Sequence, residues 1–284
     1  MRKCQKNKFK LIKSIKEYIN SNIKLKSLFN HPNRKYKIDT LLKYIFQILL
    51  TGLSFRKIQE LSNCKIHWNT IYKFFIKLQK TNVITLNYYD LVKKYNKKNL
   101  TKSTNVLITD TSIILNKLGI DKVGFNPQIP KHKGSKISLI TDSLGIPINS
   151  NIFSANIYDS KILNIQLDDI IKNNKEILNN NNILLGDSGY DSNEIRNKLK
   201  EINFGRLLVP RNKRNTKNKN KLDSYKLLSV EKKLLKLRIN IEHKNAHLKQ
   251  YRRLSIRYDK YYCNYLVFLH LACIDIILKR INKY

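Results

Sequence analysis

Glu242 lies four residues after Arg238 and seven before Lys249, in the stretch Leu234 to Tyr251 that reads LLKLRINIEHKNAHLKQY. On a helix these three residues form one polar line, a carboxylate between two cations. Two readings fit: the carboxylate ligates a metal, or the trio is a surface salt bridge. Two other acids bear on the choice. Asp110 falls within the apolar run VLITDTSII, and Asp187 closes the run NILLGD. A carboxylate beside a buried strand is costly unless it is hydrogen-bonded or binds a cation. Three carboxylates without cysteine or a dedicated histidine set suit a hard, oxygen-seeking ion, Mg²⁺ or Mn²⁺. Two such ions about 3.5–4 Å apart can activate a nucleophile and stabilise the leaving oxygen in phosphoryl transfer. The ordinary alternatives are a strand-end Asp110 and an Asx turn at Asp187 before Gly189.

These residues need elements to carry them. Leu234, Leu237, Ile241 and Leu248 recur at helical spacing, so the Glu242 stretch is expected as one helix. VLITDTSII, KISLITD and IPINSNIF are expected strands, the last two joined by the turn Asp142-Ser143-Leu144-Gly145. A helix over Tyr158 to Asn173 opens on Asp159-Ser160, and an Asn-rich loop precedes the Asp187 strand. Ser192 to Ile202 is an expected helix, FGRLLVP a further strand, and Arg211 to Lys221 a solvated basic loop. Strands alternating with helices indicate an α/β fold whose sheet is at least partly parallel. In such sheets ligands gather at strand carboxyl ends, where Asp187 sits. Gly186 and Gly189 allow close backbone approach there.

The N-terminal third is different. Basic helix runs to a break at His31-Pro32-Asn33, followed by a buried helix ending near Gly52 and a second opened by Ser54 as N-cap. After Ser62-Asn63-Cys64 a third helix spans His67 to Lys80, with Trp68, Ile71, Phe75 and Leu78 on one face and Lys73, Lys77 and Lys80 away from it. Helix, short turn and basic helix make a helix-turn-helix outline, with Arg56, Lys73 and Lys77 as candidate DNA contacts. An ordinary helical subdomain with a solvated lysine face is the alternative. The Lys-rich segment LVKKYNKKNLTKSTN is expected to separate a helical region, 1–98, from an α/β region, 99–284.

Lys plus Arg number 56 against 20 acids, a net charge of +36, which attracts polyanions, nucleic acid foremost. Part of the excess accompanies a composition heavy in Lys, Asn, Ile and Tyr. Cys4, Cys64, Cys263 and Cys273 form no C-x-x-C pair, which argues against a zinc finger or disulfide framework and for a reducing compartment. His243 and His247 have a zinc-compatible spacing but no third soft ligand nearby in sequence, so they are expected to face DNA or solvent. The N-terminus shows no secretory signal, and Tyr261 to Leu278, interrupted by Asn264, His270 and Asp275, reads as a buried helix. The expectation is a soluble, intracellular protein located with its host's DNA, in a nucleoid or nucleus.

The chain resembles the DDE transposases of bacterial-type insertion sequences, in the grouping of families four and five. The resemblance runs from about Thr40 to the C-terminus. Its most specific part is the family signature Tyr, two residues, Arg, three residues, Glu, six residues, Lys: Arg238, Glu242 and Lys249 match, and Leu235 stands at the Tyr position. ITDTS around Asp110 and GDSGYDS around Asp187 are similar to the first and second Asp motifs, and HKGSKISLITDSLGIPI and ANIYDSK to the segments between. The resemblance implies a ribonuclease-H-like mixed sheet with flanking helices. It implies Asp110, Asp187 and Glu242 as ligands of two Mg²⁺ ions, with Mn²⁺ possible, and Arg238 and Lys249 on DNA phosphate. Lys136, opening the second strand, is a further candidate DNA contact. The implied reaction is cleavage at the element's ends and attack of the freed 3′-hydroxyl on target DNA, in an oligomer that pairs two ends. Leu235 departs from the pattern, which leaves the end-processing route open, hairpin or not. The competing classes are a non-catalytic DNA-binding protein derived from a transposase, and a related nuclease that cuts without joining.

Overall fold

The computed structural model describes residues 2–32, 34–61, 65–99, 105–127, 132–210 and 227–281. The expected loop Arg211 to Lys221 and the turn Ser62-Asn63-Cys64 lie outside the described residues. In chain order come α1 (Arg2–Ser21), α2 (Ile23–Phe29), α3 (Ile38–Thr51), α4 (Phe55–Leu61), α5 (Trp68–Lys80) and α6 (Val83–Asn99). The strands β1 (Val106–Asn116), β2 (Gly124–Phe125), β3 (Lys133–Asp142) and β4 (Pro147–Ser154) follow, then α7 (Asp159–Asn174), β5 (Ile183–Leu185), α8 (Asn193–Glu201) and β6 (Arg206–Leu208). The chain continues through α9 (Ser229–Leu235), a 3₁₀ turn (Lys236–Arg238), α10 (Ile239–Gln250), α11 (Arg252–Ser255), β7 (Ile256–Arg257) and α12 (Tyr262–Ile281).

These elements form two compact units, one of Met1–Leu91, Asn116–Asp121 and His247–Tyr284, the other of Val92–Leu115 and Lys122–Ala246. The division therefore does not follow a single cut near residue 98. The segment expected to separate two regions is helical through Asn99. Tyr88, Leu91, Val92 and Tyr95, at helical spacing, are all buried and give α6 an apolar stripe beneath its lysines.

The first unit is helical. α1 packs on α3 and α12, and α12 packs on α5. Phe75 stacks on Phe268 at 4.8 Å, and Phe55 caps the pair from α4. Ser54 accepts from Lys57 N–H at 3.2 Å and opens α4, as the sequence implies. α12 is long and apolar enough to cross a membrane by length and composition. It is instead a core helix: His270 stacks on Tyr88 at 4.8 Å, and Asp275 accepts from Tyr251 Oη at 2.5 Å. Arg257, fully buried, donates to the backbone oxygens of Asp121 and Asp259 and pairs with the Asp121 carboxylate.

The second unit holds a mixed sheet in the order β4-β3-β1-β5-β6, with β2 pairing the start of β3. β4, β3 and β1 are antiparallel to their neighbours, whereas β1, β5 and β6 run parallel. Flanked by helices, this is the expected ribonuclease-H-like sheet, following a helical N-terminal region. β3 is buried along nearly its whole length, as a strand covered on both faces must be. α7 is fixed to the sheet by Gln166, which accepts from Ser138 Oγ at 2.6 Å and donates to Asn149 Oδ1 at 2.9 Å. The β3–β4 turn, with Gly145 at φ +74, meets the start of α10, where Asn240 Nδ2 donates to Ser143 O at 2.7 Å. A Cβ on Gly145 would sit 3.0 Å from Asn240 O, so only glycine suits both the turn and the contact.

Candidate active site

The parallel pairing of β1 with β5 ends at Ile108 opposite Leu185. Two residues further along stand Asp110, still within β1, and Asp187, in the turn after β5, so both follow the end of the same parallel ladder. Asp187 is held in a tight turn by Gly189 N–H, which donates to its Oδ1 at 2.8 Å. Gly186 lets the Tyr190 ring pack directly on the backbone, since a Cβ there would meet that ring at 2.8 Å. Asp110 lies under α10, and Asn245 Nδ2 donates to its Oδ2 at 2.7 Å.

Burial pushes the Asp110 carboxyl up to about 6. The Thr111 N–H, the Arg238 charge and the Asn245 amide pull it down, and the nearby Asp187 charge adds a smaller upward push. Tyr190, fully buried, is raised first by burial and then by the charges of Asp159, Asp110 and Asp187. The charges of three carboxylates are thus felt at this phenol. The arrangement is a half-buried, ionisable carboxylate with a second one and a cation, Arg238, within electrostatic reach. Such a site can bind a hard cation and orient phosphate.

The family described as transposase DDE domain matches residues 103–274, more than half of the sequence. The chain belongs to this family. Its structure is similar to a piggyBac transposase synaptic complex with hairpin DNA, at 11% identity and a TM-score of 0.49, covering 94% of this chain and 70% of that one. It is also similar to a Mos1 strand transfer complex, at 12% identity and a TM-score of 0.36, covering 89% and 78%. A Mos1 mariner paired end complex with Mn is a further neighbour, at 9% identity and a TM-score of 0.27, covering 81% and 82%. No curated protein sequence matches the chain.

The other expected site residues of this DDE transposase divide into those that are available and those that are committed elsewhere. Glu242 and Lys249 are exposed on α10. Arg238 is not on that helix: the expected continuous helix is broken by the 3₁₀ turn Lys236–Arg238, and the Arg238 Nε is buried without a hydrogen-bond partner. Lys136, expected on DNA, is 7% exposed, with its Nζ 2.8 Å from both Asp159 Oδ1 and Ile157 O. A buried ammonium paired in this way is withdrawn from phosphate. Lys77 is also engaged, donating to Leu28 O at 2.7 Å and lying over the Phe29 ring; burial first and then Arg34 lower its pKa. Lys73 and Arg56 are exposed, Arg56 lying over the Trp68 ring. His243 is exposed and the His247 ring lies against Tyr251. Among the described residues no three His, Cys, Asp or Glu side chains come close enough to hold a metal as they stand.

Two participants were missed in the sequence. Asn245 follows Ile241 by four residues and precedes Leu248 by three, both fully buried, spacings that put it on the inward side of α10. Asp159, first residue of α7, accepts from Thr111 Oγ1 at 2.9 Å and from Lys136, which ties the helix to the strand of Asp110.

Proposed function

We propose that this transposase cleaves DNA at the ends of a mobile element and joins the freed 3′-hydroxyls to target DNA, assisted by two divalent cations, Mg²⁺ or in its place Mn²⁺. The observation that carries the proposal is the pair Asp110 and Asp187, each two residues past the end of the parallel β1–β5 ladder, with the Asp110 carboxyl pushed up to about 6 by burial. The donor chemistry fits such an ion: two carboxylates within electrostatic reach, and a buried Asn245 Oδ1 with no partner. Asp110, Asp187 and Glu242 would hold it. When bound, the cations would supply a Lewis acid for the phosphoryl oxygens and lower the pKa of the attacking hydroxyl.

The chain's own residues do the rest. Asp110, ionised above about pH 6, presents negative charge that the Asn245 amide holds in place. Arg238, half-buried and within electrostatic reach of Asp110, offers its guanidinium charge to a phosphate oxygen near the carboxylates. Lys249 on α10 and Arg56 and Lys73 in the helical unit supply exposed charge for the DNA backbone, which the net charge of +36 draws in. The helical region serves as the DNA-binding part and the sheet unit as the catalytic part, working as a homo-oligomer that pairs two element ends wherever the host DNA lies.

The test is incubation with DNA carrying the element's terminal inverted repeats in Mg²⁺, with Asp187→Asn as control. Wild type should cut and the variant should not; equal cutting by the variant overturns the assignment. Pre-cleaved ends then separate joining from cutting alone. DNA binding with a steep salt dependence but no cleavage in any divalent metal would favour a non-catalytic binding protein.

A further inference from the structure

Asn245 is 7% exposed and belongs to neither the family signature nor the acidic trio. Its Nδ2 donates to Asp110 Oδ2 at 2.7 Å, while its Oδ1 is buried with no hydrogen-bond partner. A buried amide with one satisfied end is half explained. If it served packing alone, an apolar side chain would fill the same space without burying a bare acceptor. If it served only to neutralise Asp110, lysine or arginine would do so more fully, but would cancel the charge that a cation needs. A neutral amide fixes the carboxylate's orientation and leaves its charge intact.

The surroundings support this division of labour. α10 is anchored upstream by Asn240 on Ser143 O, so the amide reaches Asp110 from a fixed helix rather than from a loop. Glu242 lies three residues before it on the same helix.

We propose that Asn245 is the positioning residue of the transposase centre: its Nδ2 locks the Asp110 carboxylate, and its Oδ1 is the acceptor for the hydrated divalent cation. This rests on the metal-dependent reading above. The bare Oδ1 then has a function, since an electropositive group is the partner it lacks.

The experiment is Mn²⁺ binding to the full chain, followed by electron paramagnetic resonance, in wild type, Asn245→Leu, Asn245→His and Asp187→Asn. Leucine matches asparagine in size but offers no donor or acceptor; histidine restores an N–H and a ring acceptor. Asn245→Leu should weaken Mn²⁺ binding about 10–100-fold, the range for groups that orient ligands. It should also raise the Mg²⁺ concentration needed for cleavage, and Asn245→His should recover part of both. Asn245→Ala, measured beside it, gives the same loss if leucine disturbs folding, as checked by circular dichroism. Wild-type Mn²⁺ affinity in folded Asn245→Leu or Asn245→Ala overturns the proposal alone. No Mn²⁺ binding by wild type overturns the metal reading and this one with it.

Discussion

Asp110, within β1, and Asp187, in the turn that follows β5, each stand two residues past the last paired positions of those neighbouring parallel strands, Ile108 and Leu185. Strand register sets where the two segments leave the ladder, and the Gly189 N–H on Asp187 Oδ1 fixes the turn beyond it. One of the two, Asp110, is costly to ionise where it stands.

That cost has a sign. The Asp110 pKa is raised on folding to about 6, so the protonated carboxyl favours the fold below the ordinary carboxylate range, and this contribution is lost as pH rises through about 6. Asp110→Asn should therefore raise the stability of the metal-free protein at pH 7.5 by about 2 kcal/mol, with the gain vanishing near pH 4. Urea titrations at the two pH values check this. The same variant should not cleave DNA.

Metal-dependent activity should follow the same group. At subsaturating Mg²⁺, cleavage should fall as pH drops below about 6, because a proton on Asp110 competes with the cation for the same oxygens. A pH–rate profile flat from 5 to 8 at subsaturating metal would contradict the role given to Asp110.

Glu242 is exposed, so its loss should cost little stability. Glu242→Gln should melt within a few degrees of wild type yet cut DNA on the order of 100-fold more slowly, as expected for a group that stabilises developing charge. A melting curve and a single-turnover cleavage assay measure the two effects separately.

Lys136 and Asp159 form an ion pair with side chains 8% and 25% exposed. Lys136→Met alone should destabilise by about 3–5 kcal/mol, because it strands a partly buried carboxylate. Adding Asp159→Leu should restore part of that loss. Chemical denaturation of the two single variants and the double variant closes the cycle.

Lys73 and Lys77 should behave differently although both lie on α5. Lys73→Ala should lower the slope of log affinity against log salt by about 1. Lys77→Ala should leave the slope unchanged and lower the melting temperature, since its ammonium serves Leu28 O and the Phe29 ring.

The sheet was legible in the sequence because β-branched runs and turn residues declare themselves locally: VLITDTSII and NILLGD became β1 and β5, carrying Asp110 and Asp187 to their places. The helix end at Gly52 and the cap at Ser54 were legible for the same reason. The break at Lys236–Arg238 was not, since LLKLRINIEH contains no Gly or Pro to mark it. Nor does sequence spacing tell a solvated lysine from one folded inward: Lys136 and Lys77 are assigned by partners 21 and 49 residues away. Asn245 was hidden because its importance lies in an atom that lacks a partner.

Asn240 on Ser143 O and Asn245 on Asp110 make α10 a ruler with two marks. Each residue turns an α-helix by about 100° and advances it by about 1.5 Å. A single alanine inserted between the marks would change no side chain at the site, yet would swing Asn245 away from Asp110 while the hairpin still gripped the other end. What keeps this segment in working order is therefore a count as much as a set of residue types.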